Sequence, residues 1–356
     1  MQWKIAGELP PTDGQEKSLG VAGPVAGVSN DVLLVAGGAN FPDAMPWQGG
    51  KKKYYREGFV FKKRNDSLDC FKRFQLPYSM AYSANCSTPA GIVAAGGEAE
   101  NGISSKVLLL GWNSKTESVE LYPLPDLPLA VTNAAIACRE TVVYLAGGET
   151  KTGVSNRFFR LDLENVAAGW NELPSLRQPV SNAVMMVQSN GQNDCVYLIG
   201  GRKKNAGSTS DLYASVFQFD LSAGQWQEKR PLPYALSAGT GIAAGDNGIF
   251  VFGGDRGETF HKTELLIAEI AGEKDEVKKG RLNEQKASLQ ASHPGFSKEV
   301  LLYNTKKDKW TRAGCIPFDT PVTTTAVQWD REAVIPSGEV RAGVRTSKIL
   351  MVESKR

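Results

Sequence analysis

Residues 32–40 read VLLVAGGAN, and the arrangement returns as GIVAAGGEA (91–99), VVYLAGGET (142–150), VYLIGGRKK (196–204) and IFVFGGDRG (249–257). Each is a short apolar run of β-type residues halted by a glycine pair. The second glycines stand at 38, 97, 148, 201 and 254, giving spacings of 59, 51, 53 and 53. A sixth copy, AVIPSGEVR (333–341), has Ser-Gly in place of Gly-Gly. It ends a step of 84 residues from Gly254 to Gly338, so the fifth unit carries an insertion of about 30 residues.

Beyond each pair lies a polar loop and then a second apolar run: EGFVFKK (57–63), KVLLLGW (106–112), RFFRLDL (157–163), SVFQFDL (215–221), KEVLLYN (298–304) and SKILMVE (347–353). A third run ends near a proline, clearest in QWQEKRPLP (225–233) and KWTRAGCIP (309–317), where tryptophan precedes the last proline by seven. A small, polar strand such as SNAVMMVQS (181–189) or TTTAVQWD (323–330) leads into the next unit. Four strands at this period predict an all-β fold, a six-bladed β-propeller, and the glycine pair with its spaced tryptophan is of the kelch type. The sixth unit has no tryptophan strand of its own, yet QWKIAGELP (2–10) repeats the tryptophan, Ala-Gly and proline of KWTRAGCIP at the same spacing. The first strand is therefore expected to pair with SKILMVE, completing blade six and removing an open sheet edge. Residues 1–356 then form one propeller.

The insertion, over 260–296, includes GEKDEVKKGRLNEQKASLQ, which is charged and lacks strand alternation. A short helix or a mobile excursion is expected there, on the face of the other loops that follow a glycine pair. Two readings stand: a lid over the central funnel, or a solvated decoration.

The net charge is +3, with basic and acidic residues interspersed, which argues against a nucleic-acid or membrane-surface protein. No run approaches the roughly 20 apolar residues that cross a bilayer, so no membrane insertion is expected. The start MQWKIAGELP is no secretory leader; the expected compartment is periplasmic if a leader was removed and cytoplasmic otherwise. Cys70, Cys86, Cys138, Cys195 and Cys315 are odd in number and widely spaced, and read as reduced core thiols. Only His261 and His293 are present, so no metal site is expected.

In a four-stranded blade the loop after the second strand and the loop joining blades share one face, where sites form. The first set offers Asn40, Glu98, Glu149, Arg202, Asp255, Arg256 and Glu339; the second offers Tyr78, Tyr82, Arg177, Tyr234 and Asp319. Arg73, Arg312 and the run Lys51 to Lys53 read as solvated surface. The sequence suggests no Ser/His/Asp set and no phosphate loop. Glu339 and Arg345 stand apart because GEVRAGVRT (338–346) compresses its loop to a few residues, bringing both side chains to the axis side. A carboxylate can take a proton and a guanidinium can bind an anion through a planar fork. An ordinary ion pair is the other reading of these two residues.

The order AGGANF (36–41), KKKYYREGF (51–59), AAGGE (94–98) and above all SGEVRAGVRT (337–346) resembles the bacterial N-acetylneuraminate epimerases, the kelch-type sialic acid mutarotases, in a cyclically permuted form. The resemblance covers most of the chain. It implies an isomerase acting on sialic acid without a cofactor, with Glu339 as base and Arg345 as the group that orients the substrate carboxylate or stabilises charge. Arg202, Arg256, Arg177, Glu98, Glu149 and Asn40 are the further candidate substrate contacts. Two departures are visible: the blade-five insertion differs from the family's own long excursion, and Asn40 stands where a small residue is expected. The alternative function is a non-catalytic propeller that binds a protein or glycan through the same face.

Overall fold

The computed structural model describes residues 1–12 and 15–353. Among these, six four-stranded antiparallel sheets form the blades of a β-propeller. Blade one consists of Val25–Ser29, Val32–Ala36, Glu57–Arg64 and Ser67–Gln75, from the axis outward. Blades two to five repeat this order. Blade six takes Val327–Trp329, Glu332–Pro336 and Lys348–Glu353 from the end of the chain and its outer strand, Gln2–Glu8, from the beginning. The register runs from Gln2 opposite Glu353 to Glu8 opposite Lys348, with a bulge between Ile5 and Gly7. The expected closure by the first strand is thus what the fold uses.

The apolar runs that announce each blade are buried on both faces, because the core of a propeller lies between blades. Within Val32–Ala36, Leu33 and Val35 face blade six while Val32, Leu34 and Ala36 face blade two. Alternate side chains of one strand therefore fill two adjacent cores, which is why the runs are continuously apolar rather than alternating. The spaced tryptophans tie neighbouring outer strands together: the indole N–H of Trp226 donates to the Pro174 carbonyl at 2.8 Å, and that of Trp310 to the Arg230 carbonyl at 3.0 Å. Of the cysteines, all free, Cys195 fits the core reading and Cys315 does not, being exposed at the end of an outer strand.

The glycine pairs are contacts between blades. At Gly147, with φ of 67°, a Cβ would lie 2.1 Å from the Val180 carbonyl oxygen, and the next residue, Gly148, donates its N–H to that oxygen at 2.8 Å. Only glycine fits such an approach at low cost. Ser337 is the exception that closes the ring. It holds φ of 58°, and its hydroxyl accepts the Val21 N–H at 2.9 Å beside the carbonyl of Thr346 at 2.7 Å. One polar side chain thereby fastens blade six to the segment entering blade one.

A ring of backbone hydrogen bonds encircles the axis. Gly23, Tyr82, Asn133, Asn182, Ala238 and Thr323, one at each blade entrance, all take positive φ. Each donates its N–H to the carbonyl of its counterpart in the preceding blade, and Gly23 donates to Thr323, so the cycle is complete. Below it the inner strands enclose a central channel of about 340 Å³; above it opens a second cavity.

The insertion forms two α-helices, α1 (Glu258–Gly272) and α2 (Glu276–Ala291), more structure than the short helix or mobile excursion expected. Asp275 caps α2, accepting the N–H groups of Val277 and Lys278. On α1, Glu264 accepts the Ser210 N–H at 2.8 Å and its hydroxyl at 2.6 Å, and His261 Nε2 lies 2.9 Å from the Ser210 carbonyl. These bonds fix α1 to blade four, while α2 packs against the turn Pro46–Gln48 of blade one. The hairpin thus reaches from blade five to blade four through α1 and to blade one through α2.

Candidate active site

The residue immediately after each glycine pair makes a backbone bridge to the strand entering its own blade: Ala39 with Ala22, Glu98 with Ala81, Glu149 with Thr132, Arg202 with Ser181, Asp255 with Ser237 and Glu339 with Val322. These are equivalent positions around the axis. Five carry charge, and all five line the upper cavity, whose volume is about 480 Å³. A propeller concentrates charge here because one sequence position per blade is turned to the axis.

The same rule places Asn40 and Arg256 outside the cavity, contrary to their expected role as substrate contacts. Each is the second residue after its glycine pair, and adjacent residues of an extended chain point to opposite sides. Asn40 is 2% exposed; it donates to the Gly20 carbonyl at 2.8 Å and accepts the Tyr55 hydroxyl at 2.7 Å, so it anchors a loop. The small residue of blade one is Ala39, one position earlier. Arg256 lies 3.7 Å over the Tyr234 ring and bonds Glu299 at 2.8 Å. Arg177 is also displaced from the site: its guanidinium donates to the Trp226 carbonyl at 3.1 Å, on the outer strand of blade four. Of the blade-joining set, Tyr82 lines the cavity, whereas Asp319 pairs with Arg341 at 3.3 Å.

Lys52, expected on solvated surface, instead lines the cavity, with its ammonium 3.0 Å from Glu98 and 4.8 Å from the centre of the Tyr82 ring. Burial works against its charge, but Tyr82 and Glu98 outweigh burial and hold the Lys52 pKa above the ordinary lysine value. Tyr54 donates to the same Glu98 oxygen at 2.7 Å, and burial together with this bond pushes its phenol up to about 12. In the next blade, Glu149 accepts from Ser181 and Asn182 and lies 3.3 Å from Arg202, whose guanidinium covers the Phe260 ring of α1 at 4.6 Å.

Glu339 and Arg345 occupy a two-stranded hairpin, Glu339–Arg341 with Val344–Arg345, in which they are direct cross-strand partners. The six-residue spacing is the length of chain that turns this hairpin. Glu339 Oε1 accepts the Gly343 N–H at 2.8 Å, and Oε2 lies 3.6 Å from Arg345 Nη2. The Arg345 side chain is only 4% exposed and rests 4.8 Å over the Phe41 ring. Its Nε and Nη1 have no hydrogen-bond acceptor among the described residues, nor has Nε of Arg202. Buried guanidinium donors are costly to leave unpaired, so two such groups beside one cavity mark a place for anionic or strongly polar ligand atoms.

The N-acetylneuraminate epimerase family model matches residues 124–356. This chain belongs to that family. Curated N-acetylneuraminate epimerases show modest identity: that of Salmonella typhimurium is 26% identical over 229 residues, covering 64% of this chain and 57% of the relative. That of Haemophilus influenzae is 26% identical over 243 residues, covering 65% and 60%, and that of Brucella melitensis 24% over 233, covering 64% and 58%. The chain thus spans less than two thirds of the length of these relatives. The solved structure of YjhT covers 99% of this chain and 98% of its own, with a TM-score of 0.67 at 12% identity, a likeness of fold. Within the epimerase match lie blades three to five, the three inner strands of blade six and most of the cavity lining, including Glu149, Arg202, Asp255, Glu339 and Arg345. Blades one and two, with Lys52, Tyr82 and Glu98, lie before it.

Proposed function

We propose that this protein is a sialic acid mutarotase, an isomerase that interconverts the α and β anomers of N-acetylneuraminate. The observation that carries the reading is Arg345: a guanidinium 4% exposed, with two donor atoms unmatched by protein acceptors, beside a carboxylate in one cavity. Membership of the epimerase family and curated relatives of that name support it.

The substrate is a 2-keto sugar acid, closed to a ring at the anomeric carbon. Its carboxylate matches the planar fork of Arg345, worth more in a dry site than in water. Glu339 is then adjacent to the anomeric hydroxyl and removes its proton as the ring opens. After rotation about the bond beside the keto carbon, reclosure on the other face returns the proton. Only protons and one carbon–oxygen bond are exchanged, so the chemistry requires no redox partner. The reaction also runs in water, and lowering its barrier by about 4 kcal/mol gives roughly a thousandfold acceleration. Glu98, Glu149, Arg202 and Lys52 surround the remaining hydroxyl and amide groups of the sugar. Phe260 and Ile267 of α1, with Phe296 after α2, form an apolar cover that limits water.

Glu339→Gln keeps size and polarity but cannot accept the proton. Its kcat should fall by about 100- to 10,000-fold while calorimetric binding of N-acetylneuraminate persists. Turnover at the wild-type rate would remove Glu339 as the base.

A further inference from the structure

The helical hairpin rejoins blade five through a segment carrying a histidine that the scheme above leaves unused. His293 is 8% exposed and lies on the wall of the cavity that holds Glu339 and Arg345. Its Nδ1 accepts the Gly295 N–H at 3.0 Å, and its ring packs on Phe296 with centroids 4.9 Å apart. A ring nitrogen that accepts an N–H carries no proton, so the hydrogen of the neutral imidazole sits on Nε2. The charged groups facing it are Asp255, at the start of the insertion, and Glu339 and Arg341 of blade six. Burial outweighs the two carboxylates and holds His293 below the ordinary histidine value, which keeps it neutral at neutral pH.

We propose that His293, as a neutral imidazole, donates a hydrogen bond from Nε2 to the substrate oxygen released when the sugar ring opens. This rests on the mutarotase reading and supplies the electrophilic partner it lacks. Glu339 takes the proton of the anomeric hydroxyl; the bond between the anomeric carbon and the ring oxygen breaks, its electron pair passes to that oxygen, and the keto carbonyl forms. Nε2–H meets the charge developing on the departing oxygen, and protonated Glu339 returns its proton there. Reclosure on the opposite face reverses these steps, so no net proton is gained or lost. A preorganised neutral donor suits this task. An imidazolium would lose the Gly295 bond and add a further cation to a cavity that already holds Lys52, Arg202 and Arg345.

The test compares wild type, His293→Leu and His293→Gln in NMR assays of anomer exchange from neutral to mildly acid pH, with the His293 tautomer read by proton–nitrogen correlation. The leucine variant should lose about 100- to 1000-fold in kcat with little change in KM, as for removal of one oxyanion donor. Glutamine keeps a neutral N–H donor and should stay within about tenfold of wild type. It should also lack the fall in rate that wild type shows as His293 becomes protonated. Full activity in the leucine variant, glutamine as impaired as leucine, or the proton found on Nδ1 would each overturn the assignment. If the leucine variant does not fold, the glutamine pH profile and the tautomer decide. A wild type that fails to exchange anomers overturns the mutarotase reading instead, and the tautomer still tests the placement of Nε2–H.

Discussion

Glu339 and Arg345 meet because a hairpin of two short strands sets them opposite one another, and their environments differ sharply despite that contact. The carboxylate keeps 20% of its side chain exposed, whereas the guanidinium keeps 4%. Arg345→Lys preserves the charge but removes the planar fork; binding of N-acetylneuraminate should weaken by about 10- to 100-fold, measured by calorimetry. Unchanged affinity would place the substrate carboxylate elsewhere. Much of this site is legible in the sequence, since counting one residue past each glycine pair reaches Glu98, Glu149, Arg202, Asp255 and Glu339. The same counting misses at Asn40 and Arg256 by a single residue, which in an extended chain reverses the side. Lys52 and His293 escape it altogether. Lys52 reaches the cavity through a long blade-one loop, and His293 through a helical insertion. Where such irregular segments fold back depends on tertiary packing that no repeat encodes.

At the scale of elements, the α1–α2 hairpin owes its position to a few polar contacts rather than to a buried apolar face. Leu265 and Ile267 on α1 and Val277 on α2 remain exposed. Glu264 holds α1 to Ser210 through two hydrogen bonds, to the backbone and to the hydroxyl. Glu264→Ala should speed backbone hydrogen exchange across Glu258–Gly272 while leaving the inner strands protected. Unaltered exchange in α1 would show that other contacts carry the hairpin. The sequence announces the insertion by its length and charge. Two full helices are less visible, because α1 begins at Glu258 in an unremarkable stretch and neither helix carries a fully buried residue. A second element, the Ser-Gly strand end of blade six, makes a sharper claim. Ser337→Ala leaves the buried Val21 N–H without its acceptor and should cost about 1–3 kcal/mol in denaturant unfolding. A loss near zero would mean that the neighbouring carbonyls and backbone rearrange to compensate.

For the whole molecule, the decisive feature is that the ring is closed by its two chain ends. Removing residues 2–8 would leave Lys348–Glu353 as an unpaired edge and, with Trp3 gone, expose the core around Phe252 and Ile335. Such a truncated chain should lose cooperative melting and associate through that edge, as seen by calorimetry and light scattering. A monomeric, cooperatively folding truncation would contradict the closure. This level is the most legible in the sequence, because QWKIAGELP repeats KWTRAGCIP and the repeats count to six without any tertiary information. The epimerase match begins at Leu124, the last residue of the outer strand of blade two. The fold likeness nonetheless covers nearly the whole chain. A closed ring tolerates such a difference, since its blades can be cut at any junction without altering the cavity they enclose. The most direct measurement is proton NMR of freshly dissolved crystalline N-acetylneuraminic acid with catalytic amounts of the full chain near neutral pH. Faster approach to the same final anomer ratio, lost in Glu339→Gln, is the expected result. An approach no faster than in buffer alone would contradict the mutarotase assignment.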